Sequence, residues 1–269
     1  MRVSHLIAVL MALGAAVIGQ GLSIAAARAE DEPWLEIRQS LFGERSIADD
    51  GSVKIFAPKR AEDAAIVPVR IYIGGDRIPK ARALTLLVDH NPAPVAAVFH
   101  FGDLYRAGNI GDRSLEVRLR LENMSRVRAV LETVDGELIE ASQFVAGAGG
   151  CTSTSLKNMD EALRGIGRVK LRVEDDATRG DLWRELQVQI RHPNFSGMQI
   201  DTATNAFTPA EFVDRVTINI GAERLVTVDS GIAISEDPNF RLTFANAKPT
   251  DIKLMASDTA GRKFTSHLE

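Results

Sequence analysis

The chain has one cysteine in 269 residues. A single thiol excludes a disulfide within the chain and any cysteine-based metal cage. Basic runs are also missing, and the formal net charge of −4 argues against nucleic acid as a partner. No G-x-S-x-G elbow, P-loop or G-x-G-x-x-G occurs, so the common nucleophile and phosphate-cradling motifs are absent. His90, His100, His192 and His267 stand at no metal-ligand spacing such as H-x₃-H or H-E-x-x-H. No metal site and no cofactor is expected from them: His100 reads as a structural residue inside a strand and His192, before a proline, as a strand-end residue. The carboxylates are scattered over strand and turn positions and read as solvated faces. Beyond the N-terminus nothing is apolar enough to cross a membrane, which takes ~20 residues.

What is present begins with a secretory leader. Arg2 and His5 form a basic start, Leu6 to Ile18 an apolar stretch, and Ala27-Arg28-Ala29 an A-x-A cleavage site. Cleavage after Ala29 is predicted, against the alternative of an uncleaved N-terminal anchor. No twin-arginine pair is present. The expected location is periplasmic, with no membrane attachment once the leader is removed. In such an oxidising space cysteines are usually paired, so a solitary one signals a reactive thiol or an intermolecular bond.

Pro33 to Gly43 predicts a short helix, with Trp34, Leu35, Ile37, Leu41 and Phe42 mostly on one stripe and Gly43 as its cap. The pattern then changes to period two. Strands are expected at Val53 to Phe56, Val67 to Ile73, Leu84 to Val88, Val95 to Phe101 and Leu115 to Leu121. Asp89-His90-Asn91-Pro92-Ala93-Pro94 forces a turn between the third and fourth. Val127 to Val134 and Leu138 to Val145 flank Asp135-Gly136, the strongest hairpin signal. After a small-residue stretch, Asn158 to Leu163 reads as one helical turn. A second set of alternations follows at Val169 to Val173, Leu186 to Ile190, Val216 to Ile220, Leu225 to Val228, Phe240 to Phe244 and Ile252 to Leu254. Gly221-Ala222-Glu223 and Asp258-Thr259-Ala260-Gly261 are turns. The predicted fold class is all-β: two antiparallel β-sandwiches joined by a small-residue arm. The expected division is a leader at 1–29, a first sandwich with its helix at 30–146, the arm and linker at 147–165, and a second sandwich at 166–269.

The thiol lies in that arm, in Gly147-Ala148-Gly149-Gly150-Cys151-Thr152-Ser153. Small neighbours predict a mobile, exposed tether, with Gly147, Gly149 and Gly150 supplying flexibility and fitting a narrow partner pocket. At ~3.3–3.6 Å per extended residue, a closed loop of this length could hold its tip roughly 15 Å from the body. The alternatives are a small buried hydrophobe and an incidental linker cysteine. No Lys, Arg or His lies close in sequence to lower the thiol pKa, which favours a carrier over an enzyme. A solvated arm would make Cys151→Ser change stability by less than ~0.5 kcal/mol.

Three sets of residues in the first half resemble SoxY, the sulfur-carrying subunit of a thiosulfate-oxidising system. They are Val67-Pro68-Val69, the run Asp89 to Phe101, and Gly149-Gly150-Cys151. In the second half, Ile190-Arg191-His192-Pro193-Asn194-Phe195-Ser196-Gly197-Met198 and Pro209-Ala210-Glu211-Phe212-Val213 resemble its partner SoxZ. The chain is similar to SoxYZ fusions described as associated with quinoprotein dehydrogenases. The resemblance implies immunoglobulin-like sandwiches and a covalent carrier without turnover of its own. Cys151 would be the attachment site for sulfur intermediates. Its implied partners are periplasmic sulfur-oxidation enzymes or c-type cytochromes, and a quinoprotein dehydrogenase. Two features depart from SoxY: Cys151 is followed by Thr152-Ser153 rather than glycines, and the arm continues into a second domain. Two other readings stand beside it. One is a binding or assembly module in which Cys151 is incidental or forms an intermolecular disulfide. The other is an enzyme whose cysteine nucleophile meets a base only in the fold.

Overall fold

The structure is a computed structural model that describes residues 33–107, 111–153, 162–176, 179–201, 204–246 and 249–269. The predicted leader and most of the Asn158 to Leu163 turn lie outside the described residues. A first unit ends at Arg45. Within it, residues 33–42 form the expected helix, α1. Gly43 closes it in the left-handed conformation at φ +62° and donates its N–H to the Gln39 carbonyl at 3.1 Å. Trp34 and Phe42, eight residues apart on one helical face, meet edge to face at 6.5 Å. Leu35 and Leu41 of the predicted stripe are exposed.

The second unit, Ser46–Glu269, has strands as nearly all of its regular structure. In chain order its strands are β1 (Ile47–Ala48), β2 (Val53–Phe56), β3 (Val67–Ile73), β4 (Ala81–Val88), β5 (Val95–Phe101), β6 (Arg113–Leu119), β7 (Ser125–Thr133) and β8 (Leu138–Val145). The second half supplies β9 (Val169–Asp175), β10 (Trp183–Ile190), β11 (Ile200–Asp201), β12 (Ala206–Phe207), β13 (Val213–Ile220), β14 (Glu223–Ser230), β15 (Asn239–Ala245), β16 (Ile252–Asp258) and β17 (Lys263–Leu268). A 3₁₀ turn at Ile78–Lys80 precedes β4, and a four-residue helix, α2 (Asp103–Arg106), follows β5. Every strand predicted from period two is present. Alternation works because successive strand side chains point to opposite faces: in β3, Val67, Val69, Ile71 and Ile73 are buried while Pro68 and Arg70 are exposed. Pro68 is tolerated in this ladder because the β2 pairing runs only from Arg70 to Ile73, leaving one flank of Pro68 without a neighbour that needs its missing N–H.

The expected all-β, antiparallel sandwich architecture is present, and its two halves are joined through both sheets as well as along the chain. One sheet runs β1-β8-β7-β4-β5-β14-β13-β16-β17 and the other β2-β3-β6-β15-β10-β9, so each sheet is built from both halves. The joins are antiparallel: Ala97 to Phe101 of β5 pair with Ser230 to Val226 of β14, and Leu115 and Glu116 of β6 with Leu242 and Arg241 of β15. Each half would otherwise leave two unpaired strand edges, a template for aggregation. The core is correspondingly continuous. Phe99 of the first half meets Phe240 of the second edge to face at 6.1 Å, an aromatic pair that adds to ordinary apolar burial. At the same join, the backbone leaves Gly102 no room for a side chain, since a Cβ there would sit 1.9 Å from the Arg224 carbonyl oxygen.

Truncating Phe99 to alanine should lower stability by about 3–5 kcal/mol through the cavity it leaves. Hydrogen exchange should report loss of protection in β4–β8 and in β13–β17 together. Protection lost in one half while the other persists would contradict a shared fold.

Candidate functional site

Where β8 ends at Val145 the chain does not leave the body. Ala146 forms a parallel bridge with Arg60, accepting the Ala61 N–H and donating to the Lys59 carbonyl, both at 2.9 Å. The next residues lie along the segment after β6. Gly149 donates its N–H to the Glu122 carbonyl at 2.9 Å, and Gly150 donates to the Leu121 carbonyl at 2.8 Å. Leu121 in turn donates to the Ala64 carbonyl at 2.8 Å, so three pieces of backbone lie side by side. A Cβ on Gly150 would fall 2.1 Å from the Ala64 carbonyl oxygen and 2.8 Å from that of Leu121. This glycine is required by close approach, in addition to any freedom it gives the chain. Gly149, at φ +80°, makes the turn that brings Cys151 inward.

The Glu122 side chain completes the docking. Its Oε2 accepts the Cys151 N–H at 3.0 Å and the Thr152 N–H at 3.2 Å. Its Oε1 accepts the Thr152 hydroxyl at 3.4 Å. A carboxylate accepting two consecutive backbone N–H groups is a charge-assisted clamp of the stronger kind. From the second half, the Ser196 hydroxyl donates to the Cys151 carbonyl at 2.5 Å. Cys151 has no exposed surface, whereas Thr152 and Ser153 beside it are exposed.

The mobile, exposed tether expected from composition is therefore not found. Cys151 is buried, and Gly147, Gly149 and Gly150 lie in a docked segment. The misreading has a clear cause: small residues permit mobility, but they also permit backbone to lie against backbone, and here Ala61, Ala64, Leu121 and Glu122 supply the matching surface.

Beneath the thiol lies Arg120, only 3% exposed. Its Nη1 donates to the Asn194 carbonyl and, at 3.4 Å, to that of Ile234, and its Nη2 donates to the Pro193 carbonyl at 3.3 Å. Its Nε is buried without a hydrogen-bond partner. Among the described residues no carboxylate forms an ion pair with it. Burial holds this guanidinium below its ordinary pKa, and the strongest opposing influence is the Cys151 thiol beside it. The thiol itself is pushed up from 9.0 to about 11, first by burial and then by the Glu122 carboxylate, with Arg120 pulling the other way. At neutral pH the docked group is a protonated thiol, shielded and weakly nucleophilic.

Two of the carbonyls that hold Arg120, those of Pro193 and Asn194, belong to the Ile190–Met198 stretch. His192 is fully buried; its Nδ1 accepts the Asn194 N–H at 2.9 Å and its Nε2 lies 3.4 Å from Asp258 Oδ2. Burial lowers its pKa despite that carboxylate. Asn194 sits at φ +46° and accepts the Val213 N–H through Oδ1 at 3.1 Å. Phe195 accepts the Glu211 N–H at 3.0 Å. The two second-half stretches thus pack together and close over Arg120 and the Cys151 carbonyl. His100 lies in β5, exposed, 3.1 Å from Asp229. Asn91, in the proline-bracketed turn, donates to the Arg120 carbonyl at 2.7 Å and accepts the Glu122 N–H at 2.8 Å, fixing the strip on which the cysteine docks. Arg120, Glu122 and Ser196 were not singled out by sequence. Only Ser196 carried a signal, as a member of the quoted stretch.

An all-β body with a solitary docked thiol at the meeting of its halves defines the architecture. Two family models match it in order. Residues 38–151 match SoxY, a sulfur oxidation protein, and residues 170–269 match SoxZ, a sulphur oxidation protein. The chain is accordingly a SoxYZ-like fusion, of the sulfur-oxidation carrier kind, and Cys151 is the last residue of its SoxY part. Among solved structures it is similar to the sulfur carrier protein SoxY from Chlorobium limicola f thiosulfatophilum. The identity is 23% and the TM-score 0.33, with 46% of this chain and 96% of that one covered. A β-glycosidase from Bacteroides vulgatus matches at 8% identity and TM-score 0.24, covering 81% of this chain and 25% of that one. No curated protein matches the sequence.

Burial reverses the stability expected of Cys151→Ser. Placing a hydroxyl in this site should cost about 1–3 kcal/mol unless it finds a partner. The raised thiol pKa adds a pH signature. The folded state holds the proton more tightly, so this stabilisation is intact below about 9 and is lost as pH rises towards 11. Chemical denaturation across that window should show a downward slope in the wild type that Cys151→Ser lacks. A substitution without effect on stability, or equal slopes, would place the thiol in solvent.

Proposed function

We propose that the protein is a periplasmic covalent carrier of sulfur intermediates, attached through Cys151 and presented to partner enzymes. The observation that carries this reading is the docking itself. The SoxY match ends on a cysteine held by Glu122 and Ser196 hydrogen bonds to its backbone, which can be released without dismantling a strand. The secretory leader predicted at residues 1–29 supports export. Arg120, a buried cation that forms no ion pair with a carboxylate among the described residues, suits a neighbour that becomes negative when it is deprotonated or carries an acidic sulfur group.

Docking divides the work into two states. In the resting state the thiol is neutral and shielded from stray oxidants. Delivery requires the segment after Val145 to leave Glu122 and Ser196, and then the glycines let it extend into a partner's pocket. Attaching a sulfur anion through a new S–S bond removes one proton and two electrons from thiol and anion together. A redox partner must accept those electrons, which fits a c-type cytochrome or a quinoprotein dehydrogenase system. The carrier holds no group of its own for that step.

Burial of Cys151 also gives the competing reading its observation: an inert structural cysteine in a non-catalytic assembly module. Intact-mass spectrometry on protein taken from its native compartment separates the two. The carrier reading predicts sulfur-containing adducts that map to Cys151 and vanish in Cys151→Ser. A reduced, unmodified thiol under every growth condition, with function retained in Cys151→Ser, would establish the assembly module instead.

A further inference from the structure

A second charged feature lies at the open edge of the six-stranded sheet, where β9 is the last strand. Arg164, Arg168, Lys170, Gln189, Arg191 and Asp237 are among the residues lining a cavity of about 330 Å³ there. The register explains why they converge. Lys170 of β9 stands opposite Gln189 of β10, and Val169 opposite Ile190. The ladder continues one step further, with Arg191 donating its N–H to the Arg168 carbonyl at 2.8 Å and Gly167 donating to the Arg191 carbonyl at 2.9 Å. Arg168 therefore lies directly across from Arg191. Because strand side chains alternate, Arg168, Lys170, Gln189 and Arg191 share one face, while Val169 and Leu171 pack against the core on the other. The tight turn before β9 adds Arg164.

Like charges directly opposite on a sheet face are destabilising. Here the only carboxylate in the lining, Asp237, binds one of the four cations, accepting Arg191 Nη1 through Oδ2 at 3.0 Å. Its other oxygen accepts the His192 N–H at 3.1 Å. Arg164, Arg168 and Lys170 are exposed, and no ion pair joins any of them to a carboxylate among the described residues. Three uncompensated cations in one concavity, on a chain of net charge −4, break the usual surface pattern without a structural gain, which is the mark of a functional site.

We infer that this cavity is a binding site for a small doubly charged oxyanion. Concavity favours a small ligand over a flat acidic surface, and paired guanidinium groups suit the geometry of tetrahedral oxyanions. The carrier reading names the sulfur oxyanions, thiosulfate and sulfate, as the class; that assignment rests on it, whereas the anion site does not. The site would hold a reactant or product of the adduct chemistry on the carrier itself, away from the thiol.

Isothermal titration of the full-length, reduced chain with thiosulfate, sulfate and phosphate at matched ionic strength tests this. Saturable one-to-one binding of the sulfur oxyanions is expected. It should weaken about tenfold or more in Arg168→Gln/Lys170→Gln, since each lost charge-assisted contact is worth roughly that factor, and be unchanged in Lys54→Gln on β2, at the opposite edge of the same sheet. Absence of saturable binding up to about 10 mM, a range that captures even weak sites, or binding indifferent to the double substitution, would overturn the site. Phosphate bound in preference to both sulfur oxyanions would overturn the ligand class. The adduct masses at Cys151 are read independently, so a carrier without this site and a site without a carrier are separate results.

Discussion

The β5–β14 and β6–β15 pairings are the constraint on which everything else rests. They turn two regions of sequence, each with its own family signature, into one pair of sheets with one core. Once Phe101 is opposite Val226 and Leu115 opposite Leu242, the stretch after β10 has little choice of position. Its Pro193 and Asn194 carbonyls lie over Arg120, and Ser196 reaches the Cys151 carbonyl. The cysteine site therefore belongs to both halves. Carrying both halves in one chain makes their association intramolecular and keeps the docking surface assembled.

The thiol sits under opposed demands. Under the proposed periplasmic carrier role, the attachment point must be exposed to partners, yet an exposed thiolate in an oxidising compartment is consumed by oxidants and stray thiols. Docking meets the second demand: burial and Glu122 keep the group protonated, with a pKa near 11. The contacts that achieve it are mostly hydrogen bonds, from backbone N–H groups to one carboxylate and from one hydroxyl to the Cys151 carbonyl. Each is worth about 1–3 kcal/mol net, the carboxylate bonds at the upper end, so release stays within reach of a partner's binding energy. Arg120 tempers the effect, since a cation beside the thiol limits how far a negative charge there is disfavoured.

Much of the fold was legible because period-two alternation survives in strands such as β3, β6 and β16. The Asp135-Gly136 hairpin and the turns at Gly221 and Asp258 carry their own backbone chemistry. What could not be read was how the halves meet. Arg120 occupies a position that the alternation of Leu115, Val117, Leu119 and Leu121 assigns to the wet face, and it is buried only because the second half covers that face. Cys151 failed for the same reason. Its neighbours are small and its sequence surroundings lack apolar bulk, but the surface that buries it is non-local, drawn from Ala64, Leu121 and Glu122 on one side and Ser196 on the other. The glycines were recognised as necessary, though Gly150 answers to the 2.1 Å approach of the Ala64 carbonyl as well as to any need for motion.

The central claim is that docking on Glu122 sets the reactivity of Cys151. The most direct measurement is the rate of Cys151 alkylation by a small neutral reagent at pH 8, compared between the wild type and Glu122→Ala. Removing the carboxylate takes away both the backbone clamp and the charge that raises the thiol pKa. The rate should rise about tenfold or more, towards that of an unshielded cysteine. An unchanged rate in a folded variant would mean that Glu122 does not govern access to the thiol, and the docked, releasable carrier arm would have to be abandoned.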